Sequence, residues 1–235
     1  MNKKWLYRVL FFLTMVSCQK PAIEQPESSI NYNYFPLKPG LWKIYEVNAI
    51  YIDAPSAVFD TLHYFVKELQ SYWFLNASND SMIRLERFYT ENLANSWEPN
   101  SVWQLGIWDK QAIQIEDNIT YVKIKFPALV GTSWNGDAYN RIDTLNKFNY
   151  QITAVDATYN LESFSFDSAL TVLQKQQQSL IDKIDFEEIF VKNLGLVYKK
   201  QIDIYSTEVD PAIPIENRVT SGLIYYQKLI DYGIE

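Results

Sequence analysis

Hydrophobic and polar residues alternate along three stretches of the chain, at residues 119–126, 148–155 and 194–204. A two-residue period is typical of a β-strand with one buried face, because successive side chains point to opposite sides. In the first stretch, Val122, Ile124 and Phe126 form the apolar side, and Lys123 and Lys125 lie opposite. All three stretches are therefore predicted to be strands.

Four other stretches carry Tyr, Val, Ile and Phe on both sides, at residues 41–52, 58–69, 82–89 and 219–230. They are predicted to be central strands or strands covered on two faces. Turn-forming sequences lie between the strands: LKPG, NASNDS, WEPN, WNGD and DPAIP. Because strands do not alternate with helices, the sequence predicts a mainly antiparallel, all-β domain, built as a sandwich or a barrel-like sheet with few or no helices.

Residues 167–184, DSALTVLQKQQQSLIDKI, are compatible with two structures. A capped helix places Leu170, Leu173, Leu180 and Ile184 on one face. A strand, a Gln-rich turn and a second strand are the other solution. The strand-like DFEEIFVKN that follows favours this hairpin.

The N-terminus has the layout of a bacterial export signal. A basic start precedes an apolar run at residues 9–16, which is too short to cross a hydrocarbon core that needs about 20 helical residues. Residues 1–17 are therefore predicted to be a signal peptide that is removed. The residue that follows, Cys18, is the only cysteine of the chain.

The cleavage region MVSC resembles the lipobox of bacterial lipoproteins. In that family the cysteine thiol receives a diacylglycerol, the peptide is cut before the cysteine, and the new amino group is acylated. The resemblance implies a lipid at Cys18, and two or three chains at about 0.8 kcal/mol per buried CH₂ make a stable membrane anchor. It also accounts for an odd cysteine in an exported protein. An ordinary secretory leader with a stray cysteine is the alternative.

The segment after the cysteine, residues 18–30, is rich in Pro, Gln, Glu and Ser and is predicted to be a flexible tether. Residues 31–235 are predicted to form the single β domain. Gln19 resembles the residue found in lipoproteins that are sent on to the outer membrane. Exposure to the periplasm or to the cell surface stays open.

Three segments resemble landmarks of a family of uncharacterised Gram-negative lipoproteins: YFPLKPGLWKIYEV, VKIKFPALVGTSWNG and FVKNLGLVYKK. In that family an aromatic-Pro-Leu-x-x-Gly segment opens the domain, a Pro-x-x-x-Gly-x-x-Trp turn divides it, and a Gly-Leu-Val-x-Lys strand lies near its end. The similarity spans residues 34–200 by landmarks. It implies one β-rich domain of lipocalin-like or half-barrel shape.

Charge excludes several classes of partner. The chain carries −7 at pH 7, and loss of the signal peptide takes three of its 21 basic residues and none of its 28 acidic ones. No basic cluster remains to neutralise phosphates, so nucleic acid is not expected as a partner. Docking on anionic lipid is not expected either. Seven Trp, 17 Tyr and 13 Phe against seven Gly indicate a ring-filled β core.

Residue types that carry metal or nucleophilic chemistry are sparse. His63 is the only histidine, and zinc sites usually need several His or Cys ligands, so neither a metal nor another cofactor is expected. His63 is predicted to face solvent. No Gly-x-Ser-x-Gly elbow occurs. Glu86, Glu187 and Glu188 are candidate carboxylates for glycoside hydrolysis, but solvated strand faces explain them as well.

Three tryptophans lie within twelve residues, in WEPNSVWQLGIW. Exposed at the rim of a sheet, Trp97, Trp103 and Trp108 could stack on sugar rings or hold an apolar ligand. Buried, they would be part of the core, and the core is the favoured interpretation. They are the candidate ligand-contacting residues of this sequence.

Three functions remain open after the sequence analysis. The first is a lipid-anchored envelope protein with a non-catalytic structural or interaction role. The second is a binding module for a lipid or a saccharide, and the third is a glycoside hydrolase. An enclosed, ring-lined cavity open to solvent favours the second function, whereas a filled core with a flat apolar patch favours the first.

Overall fold

The computed structural model describes residues 30–140 and 149–235. They form one antiparallel sheet of 12 strands and contain no α-helix. The all-β prediction is confirmed. The strands are β1 Leu41–Asp53, β2 Val58–Leu75, β3 Ser81–Thr90, β4 Glu98–Trp108, β5 Gln111–Glu116, β6 Ile119–Lys125, β7 Ser133–Asn135, β8 Asn149–Leu161, β9 Phe164–Gln178, β10 Asp182–Val191, β11 Gly195–Tyr205 and β12 Ser221–Ile234. Short 3₁₀ turns lie at Tyr32–Tyr34, Ala54–Ser56 and Ile215–Asn217.

The sheet curls into a nearly closed barrel. Strands that follow one another in sequence pair, except β6 and β7, and the first strand β1 pairs with the last strand β12. The two edges of the sheet are therefore β6 and β7. Hydrogen bonds partly bridge the gap between these edges. The backbone amide of Val122 donates to the carbonyl of Gly136 at 2.8 Å, and the indole Nε1 of Trp134 donates to the carbonyl of Val122 at 2.8 Å.

The predicted strands are present, with one correction at a turn. The three alternating stretches correspond to β6, β8 and β11, and residues 167–184 form the β9–β10 hairpin and not a helix. The predicted WEPN turn is wrong in its extent, because β4 already begins at Glu98. Pro99 is tolerated there because this part of β4 pairs with β3 alone and lies beside a register shift in the β3–β4 pairing.

Residues 30–36 close the end of the barrel at which β1 begins. Tyr34 and Phe35 are buried there, and the ring of Tyr32 packs edge-on against Phe126 at 4.8 Å between centroids. The first described residue, Ile30, belongs to the same core cluster, although the sequence places it in the tether. The N-terminal segment therefore plugs this end of the domain.

Tyr34 ties the plug to the wall of the barrel. Its hydroxyl donates to Asp156 Oδ1 at 2.7 Å, and Lys192 pairs with the same carboxylate. Hydrogen bonds from Lys192 and Tyr34 lower the pKa of Asp156 below its usual value. Burial and the bond to Asp156 raise the pKa of Tyr34. The phenol therefore stays a donor throughout the physiological range.

The opposite end of the barrel is open. Tyr51, Leu62 and Tyr205 occupy inward-facing positions at that end, yet 49%, 52% and 43% of their surfaces are exposed. The connections 54–57, 91–97 and 206–220 surround this opening. The interior is therefore accessible from one end and closed at the other.

Candidate functional site

A cavity of about 310 Å³ lies inside the barrel between the plugged and the open end. Its volume is at the lower limit of the range of roughly 300–1,000 Å³ that small-molecule pockets occupy. Apolar side chains such as Leu85, Leu105 and Phe190 line part of it. The rest of the wall is polar, and five of its side chains are charged: Lys43, Glu68, Arg87, Glu188 and Lys199.

Three of the charged residues form a row across neighbouring strands. Lys43 on β1 lies opposite Glu68 on β2, and Glu68 lies opposite Arg87 on β3. Arg87 Nε donates to Glu68 Oε1 at 3.1 Å, whereas Lys43 Nζ is 3.8 Å from Glu68 Oε2. Directly opposed side chains of an antiparallel pair are the ones that interact. We call this row the first triad.

A second group of charges surrounds Glu188, and two of its members, Glu188 and Lys199, line the cavity. Glu188 on β10 lies opposite Lys199 on β11, whose Nζ is 4.0 Å from Glu188 Oε1. Lys123 of β6 reaches the same carboxylate, with its Nζ 2.5 Å from Oε1. We call Lys123, Glu188 and Lys199 the second triad. A fourth group, Glu116, lies 3.9 Å from Lys123.

The sequence predicts that Lys123 points away from the buried, apolar side of β6, but the structure buries its side chain. Lys123 is 4% exposed and Val122 and Ile124 beside it are also buried, because the β5–β6 ladder shifts register at this point. Glu188 is likewise completely buried and not on a solvated face. Burial lowers the pKa of Lys123, but the charges of Glu188 and Glu116 raise it by more, so the net pKa is above its ordinary value.

Lys43 is less well compensated. Its Nζ contacts the carbonyl of Leu196 at 3.4 Å and Glu68 at 3.8 Å, and both distances are longer than a good hydrogen bond. Burial lowers the pKa of Lys43, and the nearby charge of Glu68 only partly offsets this. The cation of Lys43 is therefore held in the barrel at a cost to stability.

We expect Lys43→Met to fold with a stability equal to that of the wild type or higher by about 1 kcal/mol at neutral pH. Protonated Lys43 destabilises the folded state, because its folded pKa lies below that of the unfolded chain. Deprotonation of Lys43 removes this destabilisation of the wild type. The difference in the free energy of unfolding between Lys43→Met and the wild type therefore shrinks as the pH rises towards 10.5. Urea unfolding at several pH values measures this. A clear loss of stability in Lys43→Met at neutral pH contradicts the conclusion that the Lys43 cation destabilises the folded protein.

The structure does not bring the three candidate tryptophans together. Trp103 lines the cavity, where the guanidinium of Arg87 lies 3.7 Å from its ring centroid. Trp108, five positions along β4, is on the opposite face and packs edge-on against Tyr139 at 5.8 Å. Trp97 is half-buried in the connection before β4. Only Trp103 is in a position to contact a ligand in the cavity.

Two buried polar atoms of the cavity wall have no hydrogen-bond partner among the described residues. They are Oε2 of Glu188 and Nε1 of Trp103. Glu188 is completely buried and Trp103 is 9% exposed. A buried polar group without a partner costs free energy. Protein atoms enclose both groups, however, so neither has accessible surface towards the cavity.

The remaining candidates lie away from the cavity. His63 is exposed and bonds Glu46 at 2.7 Å, as predicted for a solvent-facing histidine. Glu86 pairs with Arg84 at 2.9 Å, and Glu187 is next to Glu188 and so on the opposite face of β10. Among the described residues, no group of three or more His, Cys, Asp or Glu side chains is placed to hold a metal ion.

The membrane-anchoring prediction concerns residues outside the described ranges. Residues 1–17, Cys18 and the tether up to residue 29 are not part of residues 30–140 or 149–235. Within those ranges, the protein has no helix of the length and apolarity that a membrane crossing requires.

Sequence reasoning missed Lys43, Glu68, Arg87 and Lys199. Only Lys43 is flanked by apolar residues on both sides, whereas each of the other three adjoins another charged residue, so no common local signal marks the four. Single charges at inward positions are expensive unless they are paired. Finding the pairs required the register of β1, β2 and β3, which no local pattern supplies.

No model of a known protein family and no curated protein matches the chain. Two solved structures resemble it in shape. One is a crystal structure from Bacteroides fragilis described as an exported protein with a YmcC-like fold, with TM-score 0.38, 10% identity, and coverage of 85% of this chain and 98% of that chain. The other, from Parabacteroides distasonis, is described as a lipoprotein, with TM-score 0.40, 11% identity and the same coverage. At TM-scores below 0.5, neither match bears on function.

Proposed function

We propose that this protein is a lipid-anchored protein of the outer membrane whose barrel-shaped domain binds a small polar molecule in its interior cavity. The observation that carries the proposal is the cavity of about 310 Å³ whose wall holds five charged side chains. A domain with only a structural role has no need of charged side chains around an interior cavity, since an apolar core of the same volume is at least as stable.

The polarity of the cavity favours a water-soluble ligand over a lipid. Five charged side chains and several amides line it, and an acyl chain offers these groups no hydrogen bonds. Hydroxyl groups of a saccharide or similar molecule can hydrogen-bond to the amides and carboxylates. Of the two ligand classes that the sequence left open, the saccharide-like class suits this wall.

The anchor and the opening of the cavity lie at opposite ends of the domain in this proposal. The plug at residues 30–36 closes one end, and the twelve residue spacings from Cys18 to Ile30 reach at most about 40 Å when extended. A lipid on Cys18 therefore keeps the plugged end within that distance of the bilayer.

A non-catalytic role is part of the proposal. Glu68 and Glu188 both line the cavity, but each is ion-paired with two cations. A glycoside hydrolase of the two-carboxylate type needs one carboxyl that is protonated and able to give its proton to the leaving group. Neither carboxylate is left free for that task. Binding is therefore favoured over hydrolysis.

Native mass spectrometry of the full chain, extracted in detergent from the envelope of a Gram-negative host, tests both parts. We expect a mature protein that starts at Cys18, carries the mass of acyl chains and retains a small molecule in a fraction of the population. Cys18→Ala is the matched control and should lack the acyl mass. An uncleaved or unacylated wild-type chain contradicts the anchor. A chain that is always empty, and that no added soluble molecule stabilises, contradicts the binding role.

A further inference from the structure

The charges that face the cavity do not balance, and the surplus is positive. Three cations, Lys43, Arg87 and Lys199, line the cavity together with two carboxylates, Glu68 and Glu188. This excess lies inside a chain whose overall charge is −7. An interior of the opposite sign to the whole protein indicates a specific role for these cations.

Each triad contains one tightly bound and one loosely bound cation. Arg87 and Lys123 lie 3.1 Å and 2.5 Å from their carboxylates. Lys43 and Lys199 lie 3.8 Å and 4.0 Å from theirs. Good charge-assisted hydrogen bonds are about 2.7–2.9 Å long. The ammonium groups of Lys43 and Lys199 thus have bonding capacity left, and both line the cavity.

We propose that the cavity binds a small hydroxylated carboxylate, with its anionic group held by Lys43 and Lys199 and its hydroxyl groups facing the amide side chains that line the wall. This inference rests on the proposed binding function and names the class of ligand. A carboxylate carries the single negative charge that matches the surplus of one cation. A phosphate monoester carries about −1.5 to −2 at pH 7 and would overcompensate it.

D-Glucuronate and D-glucose are a matched pair of probes, since they differ only in a carboxylate in place of a hydroxymethyl group. Isothermal titration calorimetry of the detergent-solubilised full chain compares them. We expect glucuronate to bind at millimolar concentration or below, with an affinity that falls as salt is added. Glucose should bind at least about tenfold more weakly, the loss expected for one charge-assisted hydrogen bond.

Lys43→Met and Lys199→Met should each weaken glucuronate binding by at least about tenfold. Lys125→Met is the matched control, because Lys125 is an exposed residue at the end of β6. It should bind both probes as the wild type does. Thermal unfolding of every variant without ligand verifies that each one is folded.

The outcomes separate this inference from the proposed function. Equal binding of glucose and glucuronate, or unchanged glucuronate binding in both lysine variants, overturns the anionic ligand and leaves a cavity for neutral polar molecules. Absence of glucuronate binding to the wild type also overturns it. The binding function itself fails only if the native protein, in addition, carries no small molecule and responds to neither probe.

Discussion

Lys123→Met should destabilise the protein by about 3–5 kcal/mol, the cost of breaking a buried ion pair from one side. Lys123 is 4% exposed in its side chain and Glu188 is fully buried, at a distance of 2.5 Å. Without Lys123, the carboxylate of Glu188 keeps only Lys199 at 4.0 Å. Urea unfolding followed by tryptophan fluorescence measures the loss.

Two further variants show that the loss comes from the unpaired buried charge. Lys228→Met removes an ion pair at the surface, with Glu162 at 2.7 Å and 62% exposed, and should cost less than about 1 kcal/mol. The double variant Lys123→Met/Glu188→Met removes both charges and should recover most of the stability. If the free energy of unfolding of Lys123→Met lies within about 1 kcal/mol of the wild-type value, the range of a surface ion pair, the second triad is not a structural unit.

The contributions of Lys123 and Lys43 to the free energy of unfolding should change with pH in opposite directions. The folded pKa of Lys123 is raised, so its ion pair contributes fully below the unfolded pKa and is lost only as the pH rises beyond 10.5. The folded pKa of Lys43 is lowered, so its cost is relieved on approach to 10.5 from below. The same unfolding series, run on both variants, therefore separates a compensated cation from an uncompensated one.

Gly222→Ala should cost at least about 3 kcal/mol, because the change combines backbone strain with a steric clash. Gly222 lies at the start of β12 with φ +137°, a backbone conformation that only glycine adopts without strain. An added Cβ would lie 2.1 Å from the carbonyl oxygen of Asp203 and 2.7 Å from Cα of Ile204. Both are backbone atoms of β11, so the β11–β12 ladder must open. Thermal and urea unfolding report the cost.

Gly131→Ala provides the control for strain alone. Gly131 also has a positive φ, +87°, but no described atom lies within 4 Å of the position a Cβ would take. This variant should lose about 1–2 kcal/mol, as expected for one residue in a left-handed conformation. Equal losses at the two glycines would show that the close approach of β11 and β12 at the open end is not rigid.

Much of the architecture follows from local pattern. The alternation at residues 148–155 and 194–204 identifies strands without knowledge of their partners, and Tyr150 and Ile152 are buried as the period predicts. The continuation of strand-like residues beyond 184 favours the hairpin, which the β9–β10 pairing confirms. These features depend on the geometry of one strand or one turn, and a short window of sequence contains that information.

The cavity could not be predicted in the same way. The polar side of β11, with Lys199 and Gln201, lines the interior, whereas Ile202 and Ile204 pack in a separate cluster around Ile215. A period of two separates two faces but does not say which one points inward when both are covered. The side chain of Lys123 poses the same difficulty, because a register shift in the neighbouring ladder turns it into the barrel.

By itself, the sequence determined the class of the protein: an antiparallel all-β chain with strands at recognisable positions. The export and lipidation signal at Cys18 and the lack of a zinc site stay predictions from the sequence. Only the tertiary structure decided that Lys43, Glu68 and Arg87 meet in one row and that Lys123 crosses the interior to Glu188. Local propensity acts over neighbouring residues, whereas these partners lie up to 65 positions apart and are joined by strand register and barrel closure.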